Sequence, residues 1–462
     1  MTPRLLAWIA AATGGRLHGA DRTVDAVATD TRALPVAGAP LFVALAGERF
    51  DGHAHLAAAA AGGCVAALVA RPQASDLPQV VVADTRRALA DLARAVQRER
   101  TRTRVVAITG SNGKTSVKTL TAAVLARAGR VYATPGNRNN EIGLPLAVLE
   151  APEDADFAVY EMGAGAPGDI AYLTAVAPPD VGLVNNIGPA HLERMGSLLG
   201  IAATKAAVYA DLRPGGTAVI NADDAFAAYF AAQAGDHARL RFGLDSDAEV
   251  GARALVLEGA GSRFVLVTPA GEAAVALALP GRHNVRNALA AAAIGHALGL
   301  APEQIAAGLG DARPVAGRQQ QHRLPGGAWL IDDSYNANPA SLAAGVEALV
   351  AAGGEPWLVL GDMRELGSDE VALHAQAGAH AKAAGVVRLF ALGALSAHAA
   401  AAFGAGAQVY PDHAALAQAL QQALHPGVRV LVKGSRGSAM DRIVTALLER
   451  QPATGEGGSH AA

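Results

Sequence analysis

A β-branched run that stops at a glycine turn and restarts as Lys-Thr on a helix leaves few folds open to a chain. Residues 105–116 read VVAITGSNGKTS. Val105, Val106 and Ile108 make a short buried strand. Gly110 and Gly113 mark the turn, and Val117, Leu120, Thr121, Val124, Leu125 and Ala128 share one helix face. Such a turn aims backbone N–H groups at anionic oxygens, and the helix N-terminus adds its positive end. Lys114 then reaches the β/γ-phosphates of a nucleotide, and the Thr115 hydroxyl reaches Mg²⁺. The loop is shorter than G-x-x-x-x-G-K-[ST], because Ile108 stands where that form needs its first glycine.

A chain of 462 residues has room for roughly three domains. It is 51% hydrophobic and 17% charged, rich in Gly and Ala and poor in aromatics, which suits an α/β protein. A net charge of −3 argues against a nucleic-acid partner. The single cysteine, Cys64, can form neither an internal disulfide nor a thiolate metal site, as expected of a reducing cytoplasm. Arg4 followed by LLAWIAAAT has the outline of a signal peptide, but Leu5, Leu6, Trp8, Ile9 and Ala12 also make an amphipathic helix, which is the reading adopted. No apolar run reaches the ~18 residues of a membrane span, so a soluble chain is expected.

Taken in order, residues 1–82 form a first unit, with strands at Leu41–Leu45, Cys64–Val69 and Val80–Val82 and a polar glycine loop at 47–53 (GERFDGH). Asp51, His53 and His55 lack a further metal ligand nearby, so a ligand-contacting or plain surface loop is expected there. A charged helix over 84–102 leads into a central unit, 83–313, with strands at Val105–Ile108, Val131–Thr134, Phe157–Tyr160, Val181–Val184 and Thr217–Ile220. Alternating strands and helices predict a mostly parallel sheet covered on both faces. Residues 240–280 read as antiparallel strands forming a peripheral flap, and GRHNVRNALAAAAIGHALGL as a capped amphipathic helix. DARPVAGR (311–318) looks like a hinge. A third unit, 314–462, carries strands at Trp329–Ile331, Trp357–Leu360, Leu389–Leu392 and Val428–Val432, a second Rossmann-like sheet without a dinucleotide fingerprint. Residues 452–462 read as a flexible tail.

Ligands gather at the carboxyl ends of parallel strands. Thr115, Glu161 and His191 follow three strands of one predicted sheet, and together they could anchor Mg²⁺ beside phosphate oxygens. NADD after the strand at 217–220 reads as a helix cap. Phosphoryl transfer is mainly positioning and charge neutralisation, so a second unit bringing Arg318, Asp333 and Lys433 or Arg436 over the site is physically sensible.

The chain resembles the Mur ligases, ATP-dependent amide-forming enzymes of peptidoglycan precursor synthesis. The motifs run in order along nearly all of it: TDTR with LFVALAGERFDGH, TGSNGKT, TPGNRNNEIGLP, EMGA, NIGPAHLERMGS, GRHNVRNALAA, DDSYNANPAS, GDMRELG and KGSRG. The likeness is greatest to the member that adds D-alanyl-D-alanine to UDP-MurNAc-tripeptide. It implies three units: a small α/β unit for the UDP end, a central P-loop-type ATPase and a C-terminal Rossmann-like unit for the incoming dipeptide. It also implies a monomer without nucleic-acid or membrane partners, and an acyl-phosphate route from ATP and two substrates to amide, ADP and phosphate.

Residue by residue, the resemblance assigns Thr31, Arg32, Gly47, Asp51, Gly52 and His53 to the uridine nucleotide, and Gly110, Ser111, Asn112, Gly113, Lys114, Thr115 and Ser116 to ATP. Asn139 and Asn140 fall near the phosphates, and Glu161 and His191 match magnesium ligands. Lys205 matches a lysine that several relatives carbamylate, Asn284 and Asn287 match the adenine side, and Arg318 and Asp333 match γ-phosphate and ribose contacts. Tyr335, Asn336, Asn338, Lys433, Ser435 and Arg436 fall on the dipeptide side. Ala207 stands where relatives often carry Glu. The D-N-P-R signature of the diamino-acid-adding relative is absent, and SYNANPAS stands instead. Two other readings stay open: a folate polyglutamate-type ligase, which would lack the TDTR…GERFDGH unit, and a nucleotide-gated switch that makes no amide.

Overall fold

The computed structural model describes residues 1–35, 37–47, 50–189 and 192–449; residues 452–462, read above as a flexible tail, lie outside them. The strand Arg104–Thr109 lies inside a six-stranded, all-parallel sheet. The order is Val131–Ala133, Phe157–Glu161, Arg104–Thr109, Val181–Val184, Thr217–Asn221, Ala238–Phe242. A parallel sheet covered on both faces needs apolar residues on both. Val105 and Ala107 accordingly enter one core, while Val106 and Ile108 enter the other. The chain runs outward from Arg104–Thr109 in one direction, then crosses back to its other side. That reversal opens a crevice beyond the strand ends, where the glycine turn sits.

The first sheet has five strands in the order Arg16–His18, Gln79–Val81, Ala66–Val69, Pro40–Val43, Ala26–Ala28, parallel except at the first pair. The helix Thr85–Glu99, capped by Asp84 accepting from the N–H groups of Arg86 and Arg87, carries its apolar face into a core shared by this sheet and the central one. Leu6 and Ile9 of the short N-terminal helix join that core, and Cys64 is buried in a separate small core with Phe42, Leu56 and Val69. No described helix is long and apolar enough to cross a membrane.

The expected flap at 240–280 is corrected in two respects. Ala238–Phe242 extends the central sheet in parallel. The antiparallel meander Gly251–Glu258, Gly261–Thr268, Gly271–Leu277 alternates inward and outward residues, so Phe264, Leu266, Val275 and Leu277 belong to the core beneath the phosphate-loop helix and are not peripheral. The helix Arg282–Ala297 is buried almost without a break from Asn284 to Gly295 rather than amphipathic, and no side chain caps it. Its small residues allow that close fit.

The C-terminal sheet has the order Gln320–Arg323, Trp329–Asp333, Val428–Lys433, Glu355–Gly361, Arg388–Leu392, Ala407–Tyr410. Five strands are parallel, and the first is an antiparallel edge. That edge strand is polar (QQHR) and gives no apolar run to read. The register sets Asp333 beside Lys433 at the carboxyl end.

The phosphate-loop helix Lys114–Leu125 is seated by the helix Pro302–Asp311, where a Cβ on Gly308 would lie 2.5 Å from Val124 Cα. Gly308→Ala should therefore separate the two helices and destabilise the chain by about 1–3 kcal/mol, read as a lower urea midpoint with weaker nucleotide binding. An unchanged midpoint would show that this contact does not set the helix position.

Candidate active site

The glycine turn cannot hold its own shape, and the neighbouring strand end does it instead. Ser111 N donates to Asn186 O (2.9 Å) and Asn112 N to Asn186 Oδ1 (2.8 Å). Asn185 Nδ2 donates to Asn112 O at 3.0 Å and to Asn287 Oδ1 at 3.1 Å. Gly113 has φ +77°, and a Cβ there would meet Asn287 Oδ1 at 2.6 Å and Asn185 Nδ2 at 2.7 Å. Glycine is thus required both for conformation and for space. Lys114 Nζ folds back to donate to Gly110 O (2.8 Å), poised over the cradle. Burial pushes its ammonium below the ordinary lysine value.

Beside the turn, Glu161 ends its strand as a buried carboxylate, 1% exposed. Asn139 Nδ2 donates to its Oε1 at 2.8 Å and Thr115 Oγ1 to its Oε2 at 2.9 Å. Lys118 Nζ, also buried, lies 3.2 Å from Oε2. Burial pushes the Glu161 carboxyl up, but Lys118 and Lys114, then the Asn139 and Thr115 hydrogen bonds, outweigh it and hold the group below its ordinary value. Asn140 turns to its own chain, accepting from Gly143 N (2.8 Å). Lys205 is 2% exposed, with no hydrogen bond or ion pair to its ammonium among the described residues. Burial holds it well below the ordinary lysine value; Lys114 lowers it further and Asp169 raises it. His191 lies outside the described residues.

The C-terminal sheet closes over this cluster. Arg318 Nη2 donates to Thr115 Oγ1 (3.1 Å), and its guanidinium lies over the Tyr335 ring, 4.2 Å from the centroid. Asn338, which caps the helix Pro339–Ala351, donates to Asn112 Oδ1 at 2.7 Å. Lys433 Nζ bonds Asp333 Oδ2 at 2.6 Å and Asn336 O at 3.0 Å in a buried pair. Between the sheets opens a cavity of about 1500 Å³. Its lining includes Gly110–Ser116, Asn139, Asn140, Glu161, Lys205, Asn284, Asn287, Arg318, Asp333, Tyr335, Asn336, Asn338, Lys433 and Arg436.

Other predicted residues are not brought there. Ser435 is buried, donating to Ala337 O and accepting from Arg364 N. Thr31, Arg32, Gly47, Asp51, Gly52 and His53 do not line the cavity. Arg32 pairs with Asp30 and draws that carboxyl down to about 2. His53 is buried, its Nδ1 2.5 Å from Asp51 Oδ1 and its Nε2 accepting from Ala70 N, so no metal site forms there among the described residues. Glu48 and Arg49 of that loop lie outside the described residues. NADD, read above as a helix cap, caps none: the next helix, Ala227–Gln233, starts at Phe226 without a side-chain cap. It braces loops instead, Asp224 accepting from Ile187 N and Phe226 N, and Asp223 from Leu244 N.

The sequence reading passed over Lys118 and His283. Lys118 stands four residues after Lys114, on the same helix face, which was the available signal. His283 is inside GRHNVRN and lines the cavity, bonded to Gln319 Oε1 at 2.9 Å; burial pushes its imidazole down.

Residues 108–295 match the Mur ligase middle domain, and 317–436 match the Mur ligase, glutamate ligase domain. The chain is 43% identical over 438 residues to the UDP-N-acetylmuramoyl-tripeptide--D-alanyl-D-alanine ligase of Escherichia coli (strain K12), covering 94% of this chain and 96% of that protein. Among solved structures it is similar to MurF from Acinetobacter baumannii (TM-score 0.92, 32% identity, 97% of this chain and 100% of that one). It is also similar to MurF ligase from Thermotoga maritima in complex with ADP (TM-score 0.81, 27% identity, 92% and 97%).

Breaking a buried ion pair on one side costs about 3–5 kcal/mol, because the other charge stays buried. Lys433→Met should therefore lower the urea midpoint sharply, and Asp333→Asn/Lys433→Met should recover much of the loss. A double variant as unstable as the single one would contradict a paired-charge role.

Proposed function

The chain belongs to the Mur ligase family, and from that membership and the chemistry of the cavity we infer how it works: it joins D-alanyl-D-alanine to UDP-N-acetylmuramoyl-tripeptide at the expense of ATP. The product is UDP-N-acetylmuramoyl-pentapeptide for peptidoglycan synthesis. The observation that carries the reading is the meeting of two sheets over one phosphate loop: Arg318 on Thr115 and Asn338 on Asn112, above Glu161. An acid to be activated and an amine to attack it need one enclosed space fed from both sides.

A carboxylate is a poor electrophile at neutral pH. In the proposed route the terminal carboxylate of the tripeptide attacks the γ-phosphorus, and ADP leaves. The dipeptide amine then attacks the acyl phosphate carbonyl, loses a proton, and the tetrahedral intermediate expels phosphate. The backbone N–H groups of Gly110–Thr115 cradle the phosphates, and Lys114 swings from Gly110 O onto them. Arg318 neutralises charge on the transferred group, held flat by Tyr335. Asn284 and Asn287 face the adenine side and Asp333 the ribose. Tyr335, Asn336, Lys433 and Arg436 face the dipeptide, and the turn with Thr31 and Arg32 together with the loop carrying Gly47, Asp51, Gly52 and His53 takes the uridine end.

The hard oxygen donors of Thr115 and Glu161 fit Mg²⁺. Bound there, the ion would supply charge neutralisation at the phosphate oxygens. Lys205 fits a third, anionic oxygen: its buried amine, unpaired among the described residues, is held toward the neutral form, which adds CO₂ to give a carbamate and a proton. A soluble monomer in the cytoplasm fits nucleotide substrates and a cavity complete within one chain.

Phosphate release from ATP with Mg²⁺ and UDP-MurNAc-tripeptide should require D-Ala-D-Ala, with mass spectrometry giving the pentapeptide. Release that needs a different amine, or none, would overturn the assignment. Arg318→Ala should cut kcat by about 10²–10³. With ¹³C-bicarbonate, wild-type protein should show a carbamate carbon resonance that Lys205→Arg lacks; its absence from wild type would remove Lys205 from the ligand set.

A further inference from the structure

Lys118 is 5% exposed and is not among the residues that line the cavity. It is nonetheless held on three sides. Its Nζ gives hydrogen bonds to Thr134 O (2.9 Å) and Gly136 O (3.1 Å), and it forms an ion pair with Glu161 Oε2 at 3.2 Å. Those two carbonyls belong to the segment between the strand Val131–Ala133 and Asn139, whose side chain holds the other Glu161 oxygen. One ammonium therefore ties the phosphate-loop helix, the Asn139 loop and the Glu161 carboxylate together.

The charge consequence follows from position. Without nucleotide, Glu161 is already balanced by Lys118, while Lys114 and Arg318 stand close by and add positive charge. A bare divalent cation would meet that field at short range, where repulsion is strong. A triphosphate reverses it: its oxygens offset Lys114 and Arg318 and themselves act as ligands.

We propose that Lys118 is a positioning residue that keeps Glu161 charge-balanced until nucleotide arrives, so that the divalent cation enters with the nucleotide and not ahead of it. The inference rests on Glu161 acting as a metal ligand, as read above. A lysine with a merely structural role predicts the opposite sign, because a loosened Glu161 would bind metal less well once Lys118 is removed.

Mn²⁺ is the probe, followed by electron paramagnetic resonance on the full chain with and without ADP. Wild type should bind Mn²⁺ far more tightly with ADP than without it. Lys118→Met should bind Mn²⁺ without nucleotide at least about tenfold more tightly than wild type, and Lys118→Arg should behave as wild type. Equal Mn²⁺ affinity of wild type with and without ADP overturns the proposal, and needs no variant that folds. So does a folded Lys118→Met whose nucleotide-free affinity is unchanged or weaker. Glu161→Gln with ADP tests the premise separately: if its Mn²⁺ signal matches that of wild type, the metal role of Glu161 fails, whatever Lys118 does.

Discussion

The turn at Gly110–Gly113 depends on amides from another strand. A glycine-rich loop has large conformational entropy to lose, and here Asn185 and Asn186 bind its backbone at Asn112 and Ser111. The same Asn185 reaches Asn287 on the buried helix Arg282–Ala297, and its carbonyl accepts from Asn221 at the next strand end. A network in which each member is satisfied is rigid. The phosphate cradle is thus shaped by the chain's own amides, and the packing of the alanine-rich helix beneath it is what places Asn287 in range.

Charge then decides what the cradle accepts. Lys114 and Arg318 line the cavity around Glu161, whose own charge Lys118 offsets from behind. Such a surface favours polyanions. It also explains the strain between burial and charge in this cluster: two lysines are pushed toward neutrality by desolvation, while Glu161 stays anionic because cations and donors surround it. Arg318 closes the segment 311–318 that leads into the C-terminal sheet, so the cluster is complete only when that sheet is seated, as Asn338 on Asn112 also requires.

Much of this was legible in the sequence because parallel strands announce themselves as apolar runs and the chemistry follows at their carboxyl ends. Glu161, Asp333 and Lys433 each close such a run, and each is at a strand end in the structure. What escaped notice was set by contacts distant in sequence. The meander at 251–277 has ordinary amphipathic strands, and nothing local says that its apolar face joins the core around the phosphate-loop helix through the helices Arg282–Ala297 and Pro302–Asp311. Lys118 looks like a solvated helix charge until Thr134, Gly136 and Glu161 are brought around it. Asn139 and Asn140 are adjacent and chemically identical, yet one bonds Glu161 and the other Gly143 N, a difference only the local backbone path decides.

The loop with Asp51 and His53, proposed for the uridine end, and the cavity are separate, and that separation has a chemical meaning. Asp51 and His53 are locked into their own strand neighbourhood through Arg71 and Ala70 N, away from the phosphate turn. The helix Thr85–Glu99 contributes Arg86, Arg87 and Arg94, together with Asp91, to the cavity lining. A substrate held by one end at the loop and reacting at the other must be long. A nucleotide diphosphate sugar carrying a peptide meets that condition, since its carboxylate lies many bonds from its uracil. Binding energy gathered at the remote end can then be used to place the reacting carboxylate, which a short acid held only at the phosphate turn could not do.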